Sequence, residues 1–165
     1  MFRRRPASVS QRLGAERLSD VVAQHMSGAD SDTVQIVAAI AGLLAGMAYA
    51  DRNVSDEEHG QLRTELGRVE GLSASGVDAI CNLLHENIVE VSTAQAPRYT
   101  RVLRELADRE LRLHILELLV ELSAADGKIT LEEVTVLRNT ATALGLTQAD
   151  YNVIQARHRD KLSFL

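Results

Sequence analysis

The chain has 165 residues, of which 45% are hydrophobic and only 3% aromatic, with two prolines, ten glycines and one cysteine. This length allows one domain with a sizeable core, and the scarcity of aromatic residues and of turn-forming proline and glycine excludes an all-β fold. The single Cys81 excludes an intramolecular disulfide and a thiolate metal cluster, and it is typical of a reducing compartment. We therefore expect a one-domain, all-α protein located in the cytoplasm.

The charge changes sign along the chain. Residues 1–28 carry a net +3, residues 29–165 carry −8, and the whole chain carries −5. The Arg3–Arg5 run is typical of a solvated terminus, so residues 1–9 are predicted to be a disordered basic tail. This tail is not a secretory signal, because no apolar stretch follows the arginines. The acidic body lacks an evident basic stripe, which argues against nucleic acid as a partner.

Apolar residues recur at helical spacing through most of residues 10–165, the predicted domain. Several helix starts carry N-cap residues: Asp108 precedes the sixth helix, and Ser55 and Thr130 are each followed three residues later by glutamate, as in a capping box. One row, which includes Leu111, Ile115 and Leu118, is predicted to be the buried face of the sixth helix. The predicted helices cover about 10–26, 32–50, 55–70, 74–91, 94–107, 109–125, 130–144 and 148–161.

The second predicted helix contains an uncharged stretch, residues 34–50, that requires a test for membrane insertion. Its Gly42 and Gly46 have the G-x-x-x-G spacing of packed membrane helices. The stretch is barely long enough to span a bilayer and is flanked by aspartates rather than by basic or aromatic anchors. We predict a helix buried in the protein core, with no membrane span, whose small residues let neighbouring helices approach closely.

An internal repeat is the most informative feature of the sequence. When the sequence is aligned with itself at an offset of 75 residues, 50–58 matches 125–133. With one residue dropped, the glycine turn at 71–73 matches the turn at 145–147. Each copy is predicted to contain a helix, an acidic loop and two further helices. We expect a bundle of about eight helices built from two pseudo-symmetric three-helix repeats, the first over about 32–91 and the second over about 109–161.

The acidic loop of the second copy matches the second half of an EF-hand calcium loop. Asp126 and Gly127 stand where the central Asp-Gly is expected, and Glu133 stands in the closing position. The first two carboxylate positions, however, hold Leu122 and Ala124 in this copy and Met47 and Tyr49 in the first copy. Neither copy is therefore an ordinary calcium hand.

Pseudo-symmetry would nevertheless bring carboxylates of both loops together, and clustered carboxylates suit a hard divalent cation. The same acidic residues also fit a purely structural role, because negative charge near helix starts is favoured by capping and by the backbone dipoles. Both interpretations stay open from the residues alone. The candidate cation ligands are Asp51, Glu58, Asp126 and Glu133.

These residues lie in a motif, A-D-G-x-I-[ST]-x-x-E followed by a helix and L-G-L, that stands at 125–133 with 144–146 and, in weaker form, at 50–58. Over about residues 30–160 the chain resembles the tellurite-resistance TerB family, whose relatives include the N-terminal region of a membrane-anchored DnaJ-type co-chaperone. The resemblance implies an all-helical, non-enzymatic cytoplasmic protein tied to stress responses, including tellurite resistance. We expect this module to bind a partner protein.

The resemblance also implies a divalent cation, calcium or magnesium rather than zinc, held by Asp51, Glu58, Asp126 and Glu133. Arg52 departs from the motif glycine, and its guanidinium could neutralise the first loop in place of a metal. The alternative is a metal-free protein-interaction or co-chaperone accessory module. A J-domain is excluded, because neither proline follows a histidine. A helical hydrolase would require a deep polar pocket with converging histidine and acidic side chains.

Overall fold

The computed structural model describes residues 18–48, 56–69, 71–86, 96–125 and 127–161. Every regular element in these ranges is helical, which confirms the predicted all-α fold. The basic tail predicted over residues 1–9 lies outside them. The described helices are α1 (18–25), α2 (Ser31–Ala48), α3 (Asp56–Gly67), α4 (Ala74–Glu86), α5 (Ala96–Leu106), α6 (Arg109–Ser123), α7 (Leu131–Ala143) and α8 (Gln148–Ala156), and a 3-10 turn (Arg159–Lys161) follows.

Helix α2 lies in the hydrophobic core, as predicted. Ten of its eighteen residues are buried, and it packs mainly against α5 and α6, with further contacts to α3 and α4. By length and composition alone this helix could cross a membrane, and it is the only such helix among the described residues. Its burial inside the bundle fits the predicted core helix.

Gly42 of α2 lies directly against the Tyr99 ring of α5. A Cβ atom added to Gly42 would lie 2.6 Å from Cζ of the Tyr99 ring, so the absence of a side chain at Gly42 lets the ring lie against the helix backbone. This contact confirms that small residues allow close helix packing at this position. The Tyr99 hydroxyl is buried without a hydrogen-bond partner in the described part of the chain, and burial raises the pKa of Tyr99 to about 12.

The buried face of α6 is wider than the single row that the sequence predicts. Leu111 and Leu118, both in the predicted row, are only half-buried. The reason is that α6 packs against α2, α3, α7 and α8, which cover it from several sides. Its buried residues are Ile115, Leu116, Leu119, Val120, Leu122 and Ser123.

Two helices end earlier than predicted. Helix α3 ends at Gly67, and the amide groups of Arg68 and Val69 donate to carbonyls three residues back, which tightens the chain into a turn. Helix α8 ends at Ala156, and residues 159–161 form a separate 3-10 turn. In both places the α-helical hydrogen bonds give way to bonds between residues three apart, as is common at helix ends.

The helix positions follow the spacing of the sequence repeat. Helices α3 and α7 start at Asp56 and Leu131, which are 75 residues apart, and α4 and α8 start 74 residues apart. The turns before α4 and α8 both contain a glycine with positive φ, Gly71 at 87° and Gly145 at 75°. The pseudo-twofold relation between the two halves stays a prediction.

A capping box that the sequence analysis missed fixes the start of α8. The Asp150 amide donates to Oγ1 of Thr147 at 3.1 Å, and the Thr147 amide donates to Oδ2 of Asp150 at 2.9 Å. The other carboxylate oxygen of Asp150 accepts from Arg109 at the start of α6, at 2.7 Å. The backbone hydrogen bond from Thr147 and the bond from Arg109 lower the pKa of Asp150 to about 2.

Substitution of Gly42 by alanine tests the close contact between α2 and α5. Because the added methyl group would collide with the Tyr99 ring, we expect Gly42→Ala to lower the free energy of unfolding by about 1–3 kcal/mol. The measurement is urea denaturation followed by circular dichroism. Gly60→Ala is the matched control: it lies within α3 with no atom near the added Cβ, and it should raise stability by up to about 1 kcal/mol. Equal stability of the two variants would contradict the contact.

The carboxyl group of Asp150 should titrate with a pKa of about 2 in an NMR titration of the folded protein. Arg109→Ala should raise this pKa but leave it below 3.8, because the hydrogen bond from Thr147 persists. Arg157→Ala, which removes the neighbouring ion pair with Glu117, should leave the Asp150 pKa unchanged. Since the folded-state pKa is lowered, Asp150 stabilises the fold above about pH 4, and this contribution is lost as the pH falls towards about 2. An Asp150 pKa near 4 in the unmutated protein would refute the account.

Candidate functional site

The second acidic loop connects α6 to α7. At its start the amide of Ala124 caps α6 by donating to Val120 O at 3.0 Å. The Gly127 amide then donates to Ala124 O at 2.9 Å, and Gly127 has φ of 91°, a backbone conformation that side chains disfavour. Ile129 is buried and anchors the loop to the core. The glycine and the isoleucine of the motif therefore set the shape of the loop.

Thr130 and Glu133 form the predicted capping box at the start of α7. The Glu133 amide donates to Oγ1 of Thr130 at 3.1 Å, and Oε1 of Glu133 accepts from the Thr130 amide at 3.2 Å and from its hydroxyl at 3.0 Å. Only 7% of Glu133 is exposed to solvent. The predicted N-cap at Asp108 is also confirmed, since its carboxylate accepts from the Leu111 amide at 2.8 Å.

Glu133 is the one candidate cation ligand whose side chain the structure describes. Asp51 and Asp126 lie outside the described residues, and Glu58 lies in α3 but its side chain is outside them. Within the described residues no group of three or more histidine, cysteine, aspartate or glutamate side chains is arranged to hold a metal ion. Oε1 of Glu133 is already engaged in the cap of α7, where it accepts two hydrogen bonds from Thr130.

The expectation that the acidic body lacks a basic stripe is wrong, because helix α5 carries one on its surface. Arg98, Arg101 and Arg104 follow one another at intervals of three residues, and all three are exposed. The opposite face of α5 buries Tyr99 and Leu103 in the core. The signal was present in the sequence as an R-x-x-R-x-x-R pattern within a helix. We call these three arginines the arginine ridge.

The fold and the second loop define the class of this protein, a helical bundle in which a glycine-containing acidic loop leads into a capped helix. The chain belongs to the TerB family, because the family model for tellurite resistance protein TerB matches residues 37–157. The matched segment contains both acidic loops and the arginine ridge. Comparisons with curated proteins and with solved structures gave no significant match.

Loss of the Thr130 cap should destabilise α7. Thr130→Ala removes the hydroxyl that accepts from the Glu133 amide, so we expect the free energy of unfolding to fall by about 0.5–2 kcal/mol. Thr135→Ala is the matched control, because its exposed hydroxyl bonds only to the carbonyl of Leu131 within α7, and it should be close to neutral. Thermal and urea unfolding measure both variants. If Thr130→Ala were as stable as the control, the capping role would be refuted.

Proposed function

We propose that this chain is a non-enzymatic, cytoplasmic module of the stress response that contributes to tellurite resistance by binding a partner protein. The observation that carries this proposal is the TerB match over residues 37–157, about three-quarters of the chain. The second loop agrees with it, since Gly127, Ile129 and Glu133 of the family motif each have a definite role in shaping the loop or in capping α7. Binding of a partner protein is the function that we favour for this module.

We further propose that the two acidic loops together hold a divalent cation, calcium or magnesium rather than zinc, through Asp51, Glu58, Asp126 and Glu133. The loops follow the C-terminal ends of α2 and α6, and these two helices pack together. Met47 near the end of α2 and Leu119 in the last turns of α6 line the same small cavity, of about 50 Å³. This arrangement supports the proposal, because helix ends that lie close together would bring their loops close together.

The metal-free alternative is favoured by a specific observation. Oε1 of Glu133 accepts two hydrogen bonds from Thr130, so this carboxylate has a structural role without any metal. In that case the acidic loops serve as helix caps and the protein acts as an interaction or co-chaperone accessory module. The two proposals agree on partner binding and differ only in whether a cation binds.

Calorimetric titration of the full chain with Ca²⁺, Mg²⁺ and Mn²⁺ distinguishes them. If the loops hold a cation, Asp51→Asn combined with Asp126→Asn should weaken binding by about tenfold or more without loss of helical content. Glu57→Gln combined with Glu132→Gln is the matched control: both residues are exposed and outside the proposed set, and the charge change is the same. No binding by the unmutated protein at millimolar cation would refute the cation proposal.

A growth assay tests the proposed role in the stress response. Deletion of the coding gene from its own host should lower the tellurite concentration that the cells tolerate, and re-expression of the full chain should restore it. The same strains grown without tellurite are the control for a general growth defect. Unchanged tolerance of tellurite and of oxidants in the deletion strain would overturn the proposal.

A further inference from the structure

We propose that the arginine ridge of α5 (Arg98, Arg101, Arg104) is the surface that binds the partner, and that the partner presents a short acidic segment of its chain. This inference deepens the proposed partner binding and rests on it. Nothing in the family motif involves these residues, which lie between the two acidic loops in the sequence. The ridge extends over about 9 Å along the helix, as follows from the rise per residue.

The ridge arginines differ from most arginines elsewhere on the described surface because no acidic side chain there pairs with them. Ion pairs engage four other arginines of the described residues: Arg63 with Asp78, Arg68 with Glu65, Arg109 with Asp150 and Arg157 with Glu117. The ridge arginines form no such pair and no side-chain hydrogen bond with the described chain. Within the described residues, no acidic side chain occupies their guanidinium groups.

The charges of the ridge lower the stability of helix α5. Like charges three residues apart on a helix repel one another, and Arg98, the third residue of α5, places a cation near the positive end of the helix dipole. The cost falls on Arg98 and Arg101, because Arg104 lies in the last turn of α5, where a cation is favoured. Like charges on an exposed helix face that pair with no acidic side chain of the described residues fit a binding surface better than a structural role.

The surroundings of the ridge favour a short acidic protein segment over a long polyanion. Arg98 lines a cavity of about 480 Å³ that also contains Asp20. Arg101 and Arg104 line a groove of about 500 Å³ together with Glu105. Carboxylates thus border the ridge, and the chain beyond residue 28 is acidic overall, so an anion longer than the ridge, such as a nucleic-acid strand or a membrane surface, would be repelled beyond its two ends. A segment with two or three carboxylates is short enough to contact the arginines alone.

Arginine suits this role chemically. A guanidinium group binds a carboxylate with two parallel hydrogen bonds, and its charge persists at every physiological pH. Two or three carboxylates spaced along an extended peptide would match the three guanidinium groups. The interaction should weaken with salt, because the ridge is exposed and its charges are screened.

Fluorescence anisotropy with a labelled eight-residue peptide that carries three central glutamates flanked by glycine and serine tests the inference on the full chain. The variant R98Q/R101Q/R104Q should bind at least about tenfold more weakly than the unmutated protein at low salt. The matched control R63Q/R109Q/R157Q loses the same charge from other faces and should stay within about twofold. Circular dichroism confirms that both variants are folded.

E105Q provides a gain of function that no folding defect could mimic, because removal of the carboxylate beside the ridge should strengthen binding of the peptide. Three results would overturn the inference: no binding by the unmutated protein, equal weakening in both triple variants, or tighter ridge-dependent binding of a twelve-nucleotide single-stranded DNA or of phosphatidylserine vesicles than of the peptide. The growth assay does not use the peptide, so it tests the proposed stress function separately. If the peptide did not bind but R98Q/R101Q/R104Q still restored tellurite tolerance, the ridge proposal would be wrong and the proposed stress function would be retained.

Discussion

Close packing around helix α2 is the constraint on which the other features of this structure depend. Small residues on α2 let α5 approach until the Tyr99 ring lies where a Gly42 side chain would be, and α6 packs on the same helix. Because α5 is held by its buried face, its arginines must point to solvent. Because α6 is held beside α2, the start of the second acidic loop is fixed relative to the end of α2. Packing on one core helix therefore orients the arginine ridge and positions the start of the second acidic loop.

The acidic loop illustrates how one carboxylate can serve two roles. Glu133 is nearly buried and accepts hydrogen bonds from Thr130 through Oε1, which explains an acidic residue at this position by helix capping alone. A carboxylate has about four lone-pair sites, so capping does not by itself prevent metal coordination. The motif glycine is explained by backbone geometry in the same way. The structural roles of Gly127, Ile129, Thr130 and Glu133 account for these positions of the motif, and any cation would be added to them.

Much of the fold could be predicted from the sequence because its signals are local. Helical periodicity, the Asp108 N-cap, the Thr130 and Glu133 capping box and the family motif all depend on residues a few positions apart. The predictions were incomplete where several helices meet. The width of the buried face of α6 depends on four neighbouring helices. The contact between Gly42 and Tyr99 joins residues far apart in sequence. The arginine ridge was missed because charge was counted by segment rather than by helix face, and the Asp150 cap because aspartate replaces the usual glutamate.

The central claim is that packing of α2 with α6 brings the two acidic loops to one end of the bundle. Electron–electron distance measurements between spin labels on Glu57→Cys and Glu132→Cys test it directly. Native Cys81 is buried, and burial raises the pKa of its thiol, so it should not be labelled. We predict one narrow distance distribution well below about 40 Å, the approximate diameter of a domain of this length. A broad distribution, or a distance close to the full diameter, would contradict the account.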